Sequence, residues 1–213
     1  MPEGILPGRT AVNGGHACVN DRSRSCTLRS GMPARWRRVS TKVVGDYRIF
    51  RLVEHETIAP HTGLRRTTWT IEACDWVNVV ALTPAGEIVL VRQYRHGLDD
   101  VTIEIPGGMC DPGEEPAVAA ARELREETGY AGTLVHLATV LPNPAIQTNR
   151  CHVFLVKDAV RVGEPEPDPG EDLEVFVEPV AQVRERIDAG SIDHALVIAA
   201  FAAFERHQAR ARP

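Results

Sequence analysis

From Trp36 onward the chain alternates between short β-rich runs and two or three helical stretches, and this pattern sets the expected architecture. Lys42–Glu54 and Arg66–Ala73 are rich in Val, Ile, Thr and aromatic residues and predict strands, with a Pro- and Gly-containing turn over Ala59–Gly63 between them. Val77–Leu82 and Glu87–Gln93 predict two strands of a hairpin, joined by the turn Thr83-Pro84-Ala85-Gly86. Val101–Ile105 predicts a short strand running into Pro106-Gly107-Gly108. Pro116–Thr128 predicts a helix, because Pro is favoured in a first helical turn and Gly129 follows as a C-terminal stop. Further strands are expected at Leu134–Leu141, Cys151–Lys157 and Leu173–Glu178. A polar loop over Gly163–Asp172 precedes the last of these. Pro179–Ala189 predicts a second helix closed by Gly190, and Ser191 is expected to cap a final Ala-rich helix reaching about His207. The fold class is therefore α/β with a mixed sheet, preceded by an N-terminal antiparallel strand region.

Residues 1–31 differ in texture. They contain five Gly, several Arg and Ser, and few large apolar side chains, too little to offset the entropy of ordering. Residues 1–35 are accordingly expected to be a disordered extension, a stretch upstream of a true start at Met32, or a basic interaction arm. Residues 36–208 form the expected domain, with 36–75 as its N-terminal strands and 76–208 as its catalytic core; 209–213 form a tail.

Charge and composition narrow the function. The net charge is −5, yet residues 1–48 hold nine Lys/Arg against three Asp/Glu, so the body is markedly acidic. An acidic body is a poor nucleic-acid surface, since affinity for a polyanion comes largely from Lys and Arg. If it handles phosphate, a divalent cation is expected between the two negative partners. The longest strongly apolar stretch, Ala195–Phe204, has ten residues, too few to span a membrane. The five cysteines form no CxxC pair, which argues against a zinc site or a secreted disulfide framework and for reduced thiols in a cytoplasm.

One segment concentrates chemistry: Gly108–Tyr130, GMCDPGEEPAVAAARELREETGY. At about 100° per residue, Glu127 lies roughly 40° to one side of Glu123 and Glu126 roughly 60° to the other, so three acids share a face. Ala117, Ala121, Leu124 and Thr128 are expected to pack on a sheet, with Glu127 at an exposed position. Like charges at i,i+3 and i,i+4 repel, and a helix C-terminus least favours negative charge. Arg122 alone does not neutralise three acids. On the residues alone, a solvated charged face and a site for Mg²⁺ or Mn²⁺ both remain open.

The segment resembles the Nudix box, G-(x)5-E-(x)7-R-E-U-x-E-E-x-G-U, with U an aliphatic or aromatic residue. Gly108, Glu114, Arg122, Glu123, Leu124, Glu126, Glu127, Gly129 and Tyr130 occupy its positions without insertion, and only Tyr130 stretches the last. The resemblance implies a Nudix hydrolase: an α/β/α sandwich that uses Mg²⁺, or Mn²⁺, to cleave a nucleoside diphosphate linked to another moiety. It further implies Glu123 and Glu127 as direct metal ligands, with Glu126 a further ligand or a holder of metal-bound water, and the set completed by the backbone carbonyl of Gly107 or Gly108. Arg122 would orient the carboxylates and Glu114 would pair with it. A catalytic base outside the box is expected among Glu171, Asp172 and Glu174, with Glu171 favoured. Glu104, in IEIPGG, is either a solvated strand-end acid or a supporting residue of the site.

The stretch VRQYRHGLDDVTIEIPGG resembles the ADP-ribose pyrophosphatase branch, and Pro144 lies fifteen residues beyond Gly129, as that branch tends to place a proline. This makes Arg95 the candidate to grip a substrate phosphate as a bidentate fork. Trp69 and Trp76 are expected core residues, although Trp76 could instead stack on a nucleobase. The sequence AIQTNR departs from the acidic segment that several ADP-ribose enzymes carry after this proline. The branch is often dimeric through its N-terminal strands, here residues 42–73. Alternatives are a Nudix hydrolase for another nucleotide sugar, a dinucleoside polyphosphate or an oxidised nucleotide, and a non-catalytic binding module.

Overall fold

A computed structural model describes residues 33–166, 170 and 172–211. The expectations for residues 1–32 and for Glu171 therefore lie outside the described residues. The compact unit that carries the box begins at Trp36.

Three strands open it: β1 (Arg37–Tyr47), β2 (Phe50–Ile58) and β3 (Arg65–Glu72), an antiparallel sheet in that order. The single strand expected over Lys42–Glu54 is thus two strands folded at Arg48-Ile49, with Tyr47 opposite Phe50. Neither turn residue is a Gly, Asn or Asp of the kind that marks a two-residue hairpin, and Ile49 reads as strand in sequence. Backbone hydrogen bonds from Ile71 N to Ile146 O (2.7 Å) and from Thr148 N to Ile71 O (3.1 Å) stitch β3 to a distant loop.

Seven further strands follow. These are β4 (Trp76–Ala81), β5 (Glu87–Arg95), β6 (Asp100–Glu104), β7 (Gly107–Met109), β8 (Tyr130–Val140), β9 (Cys151–Arg161) and β10 (Leu173–Pro179). They form a mixed sheet β7-β4-β9-β8, in which only β4 and β9 run parallel, and an antiparallel sheet β10-β5-β6. The expected β4–β5 hairpin is corrected here. Its turn forms, with Gly86 at φ 80° and its amide bonded to Thr83 O, but the strands share only the bridge Leu82–Ile88 before diverging into the two sheets. A hairpin turn fixes chain reversal; the pairing beyond it was decided by which neighbours best covered each apolar face.

Helix α1 (Pro116–Thr128) covers one face, and α2 (Val180–Asp188) and α3 (Ala195–Ala211) cover the other. Strand alternation explains the division. Val77, Val79, Ala81, Val89, Phe154 and Val156 meet Ala119, Ala120 and Leu124 of α1. Val80, Ile88, Leu90, Val153 and Leu155 meet Val183 of α2 and Val197, Phe201 and Phe204 of α3. The result is an α/β/α sandwich, as the resemblance implied. Two details differ. Ala117 and Ala121 are exposed while Ala119 and Ala120 are buried, because the packed stripe of α1 is rotated toward Glu127, which is itself only 4% exposed. The final helix starts at Ala195; Ser191 does not cap it but donates its amide to Arg186 O at the end of α2.

Candidate active site

The loop before α1 and the helix itself fold against each other through glycine. A Cβ on Gly107 would lie 2.2 Å from Val77 O, and one on Gly108 would lie 2.5 Å from the Glu123 carboxylate. At Gly107 only glycine fits, because the neighbour is backbone; at Gly108 a side chain would displace the Glu123 carboxylate. Gly129 ends α1 in the left-handed region (φ 74°), with its amide bonded to Arg125 O. The carbonyl of Gly129 in turn accepts the amides of Val162 and Gly163, so the polar loop springs directly from the last turn of the acidic helix.

Three box carboxylates converge around Arg122. Its Nε and Nη2 reach Glu114 at 3.0 Å each, and its Nη1 reaches Glu123 at 2.9 Å and Glu126 at 3.0 Å. Nη2 also donates to Met109 O at 3.1 Å, which ties the helix to β7. Hydrogen bonding to Glu114 above all, then the charges of Glu123 and Glu126, holds the guanidinium firmly protonated. The same bond, with the Asp111 amide, lowers the Glu114 carboxyl from its ordinary range. Glu127 lies deeper and accepts the amide of Gly107 at 3.0 Å. Glu126 is the most exposed of the set, its side chain 45% accessible.

The donor set fits a hard divalent cation. Three carboxylates lie within little more than one helical turn, beside the main chain of Gly107 and Gly108, and all donors are oxygens. As placed, no three such side chains among the described residues converge on a common point. The Arg122 guanidinium lies between Glu123 and Glu126 instead, balancing charge that a cation would share.

Outside the box, Arg95 and Glu104 meet each other. Arg95 Nε and Nη2 donate to the two Glu104 oxygens at 2.7 Å each, and Thr102 Oγ1 donates to Oε1 at 2.6 Å. His194, at the approach to α3, places Nδ1 3.2 Å from Oε2. Glu104 is thus no solvated strand-end acid: it is 3% exposed. Burial alone would raise its carboxyl, but Arg95, His194 and Thr102 together pull it well below the usual carboxylate range. Stability from this group is therefore present above the unfolded carboxylate pKa of about 4.3 and lost as pH falls further. Glu104→Gln is expected to lower stability by about 2–3 kcal/mol at pH 7 and to flatten the acid limb of a Tm–pH profile. An unchanged acid limb would contradict this assignment.

The remaining expected residues are scattered. Trp76 is half-buried at the start of β4, between Met109 and Cys151 in register. Pro144 is exposed in the β8–β9 loop. Trp69 is corrected from core to surface, 50% exposed on β3, because nothing in the described chain covers that face of the N-terminal sheet. Glu174 pairs with Arg92 at 2.6 Å. Sequence reasoning missed Glu166, whose amide donates to Glu126 O at 2.7 Å, and the buried amide of Asn78, whose only signal was an Asn within a Val-rich strand. Asn149, in the segment AIQTNR whose amides and hydroxyl can hydrogen-bond a ligand, is buried.

A half-buried glycine segment followed by an acidic helix, set on a mixed-sheet sandwich, defines the class: an α/β/α scaffold carrying a carboxylate array suited to a divalent cation. A model of the NUDIX domain matches residues 74–201. An ADP-ribose pyrophosphatase of Mycobacterium tuberculosis is 32% identical over 164 residues, covering 76% of this chain and 79% of the relative. An ADP-sugar pyrophosphatase of Mus musculus is 36% identical over 162 residues, covering 68% and 74%. An ADP-ribose pyrophosphatase of Bacillus subtilis is 40% identical over 102 residues; that match covers 47% of this chain and spans about half, 55%, of the relative. In fold, the chain is similar to a crystal structure described as an ADP compounds hydrolase, with a TM-score of 0.74, 21% identity, and coverage of 86% of this chain and all of that one. The chain belongs to the Nudix family.

Proposed function

We propose that this protein is a divalent-cation-dependent Nudix pyrophosphohydrolase that cleaves ADP-ribose to AMP and ribose 5-phosphate. The arrangement of Arg122 among Glu114, Glu123 and Glu126, with Glu127 anchored on Gly107, carries the hydrolase reading. The names of the M. tuberculosis and B. subtilis relatives, together with the Gln93-Tyr94-Arg95 approach to the box, support the substrate.

When bound, a Mg²⁺ or Mn²⁺ ion supplies charge screening and Lewis-acid polarisation for a diphosphate. Glu123, Glu126 and Glu127 would hold it, with a carbonyl of Gly107 or Gly108. Arg122 limits the repulsion among these acids, and Glu114 fixes its fork. Glu126, the most solvent-accessible of the three, has room to accept a proton from the attacking water, a role for which Glu171 is the other candidate. Trp76, Gly108 and Pro144 belong to the proposed substrate-binding surface. Arg95 would grip a phosphate only in so far as its bidentate pair with Glu104 yields or shares the guanidinium.

The N-terminal sheet supports a homodimer. Val39, Val43, Val44, Tyr47 and Trp69 are large, exposed and carried on β1 and β3, apolar side chains on both faces of the sheet that a second copy could bury in part. Among the described residues no helix is long and apolar enough to cross a membrane. The three described cysteines are unpaired, which supports a reducing cytoplasm.

The test is a panel of ADP-ribose, other nucleotide sugars, dinucleoside polyphosphates and oxidised nucleotides, assayed with Mg²⁺ and with chelator. AMP and ribose 5-phosphate should accumulate fastest from ADP-ribose, and only with metal. Preference for another substrate would overturn the ADP-ribose reading, and no turnover of any would favour a binding module. Sedimentation of the same sample reads the dimer.

A further inference from the structure

Asn78 is an anomaly on β4. Its neighbours Val77, Val79, Val80 and Ala81 are all 0% exposed, and a β-strand in such a core favours branched apolar side chains. Asn78 itself is 9% exposed, and its Nδ2 finds no hydrogen-bond partner among the described residues. A buried donor left without a partner destabilises the fold, so a valine here would serve the strand better. The amide therefore calls for a reason other than packing.

Its cross-strand partner supplies one. Asn78 lies directly opposite Gly107, the residue whose amide holds the Glu127 carboxylate at 3.0 Å. Paired residues of neighbouring strands project to the same face. The place where Gly107 would carry a side chain is bounded by the Val77 carbonyl, 2.2 Å from a Cβ built there, and by Asn78, whose Oδ1 lies 2.8 Å from it. Val77 and Val79 face α1, so alternation turns Asn78 to the other face of the sheet. Gly107 is thus held from two sides, by Glu127 from the acidic helix and by Asn78 from the opposite face. The strand before it is pinned as well, since Glu104 is fixed by Arg95 and Thr102. The turn Ile105-Pro106 has little freedom left between these two anchors.

We propose that Asn78 is a positioning residue of the hydrolytic site, bracing Gly107 so that its amide sets the orientation of the Glu127 carboxylate. The proposal deepens the metal-dependent hydrolase reading and rests on it for its activity readout. Glu127 acts on the cation, and Asn78 acts only through Gly107. Errors of about 1 Å in such supports are enough to cost a site most of its rate.

The experiment compares the full-length wild type with Asn78→Val. Four quantities are read: Tm, steady-state kinetics, Mn²⁺ affinity by electron paramagnetic resonance, and the Gly107 amide signal in a ¹⁵N–¹H correlation spectrum. Removing a buried amide whose donor is unmet should leave Tm unchanged or a few degrees higher. The proposal expects kcat to fall about tenfold with substrate KM within twofold, Mn²⁺ to bind about fivefold more weakly, and the Gly107 amide to shift upfield as its bond to Glu127 loosens. An unshifted Gly107 amide with wild-type Mn²⁺ affinity would overturn it, as would lower Tm with unchanged kcat. Should Asn78→Val fail to fold, Asn78→Ala carries the same four readings. Wild-type protein inactive on every compound of the panel would overturn the hydrolase reading, while the Mn²⁺ and amide signals would still decide the role of Asn78.

Discussion

Glu127→Gln is expected to reduce kcat on the preferred substrate by about a thousandfold, equivalent to about 4 kcal/mol of transition-state stabilisation. The fold should survive. Gln keeps the volume of Glu and retains a carbonyl oxygen to accept the Gly107 amide, now at 3.0 Å from Oε2. What disappears is a negative charge at a position only 4% exposed, where its field on a cation is least screened by water. Losing that charge also relieves repulsion with Glu123 and Glu126, so Tm should hold or rise slightly. Circular dichroism melts and initial rates measured over a Mg²⁺ titration check both halves. Near-normal kcat at saturating Mg²⁺ would remove Glu127 from the cation site.

Arg122→Ala should damage stability as well as rate. The guanidinium touches Glu114, Glu123, Glu126 and the Met109 carbonyl, so its removal leaves three acids without their common counter-charge. Its side chain is 29% exposed and water reaches part of the network, which moderates the loss to about 2–4 kcal/mol. Added Mg²⁺ should restore part of the Tm, because a cation bound by the same carboxylates replaces some of the missing charge. Arg122→Lys should recover little: an ammonium cannot span the Glu114 fork and the Glu123/Glu126 pair at once. A denaturant melt with and without Mg²⁺ reads these effects, and an Arg122→Ala protein as stable as wild type would show the network to be ornamental.

These two expectations draw on different amounts of structure. That Glu123, Glu126 and Glu127 share a helix face follows from 3.6 residues per turn and was legible in the spacing. That Glu127 is buried and Glu126 open was not. Helical periodicity orders residues around an axis, but the rotation of that axis on the sheet depends on strands distant in sequence. Here Ala119 and Ala120, rather than Ala117 and Ala121, meet Val77, Val79 and Phe154. Arg95 shows the same limit. Its position near the box was readable, but its bond to Glu104 was not, because that contact depends on β5 and β6 pairing in one register, with Arg95 opposite Asp100.

The amino-acid sequence by itself determined most strands from β3 onward and the three helices, the acidic helix with its glycine boundaries, and the resemblance to the family, since these rest on local preferences and on spacing along one element; it did not separate β1 from β2 or mark β7. The tertiary structure decided the split of β4 and β5 into separate sheets, the exposure of Trp69, the enclosure of Glu104 and the placement of Asn78 opposite Gly107. Each of these depends on which segments meet across the core, and two residues that touch there carry no mark of it in their own stretch of chain.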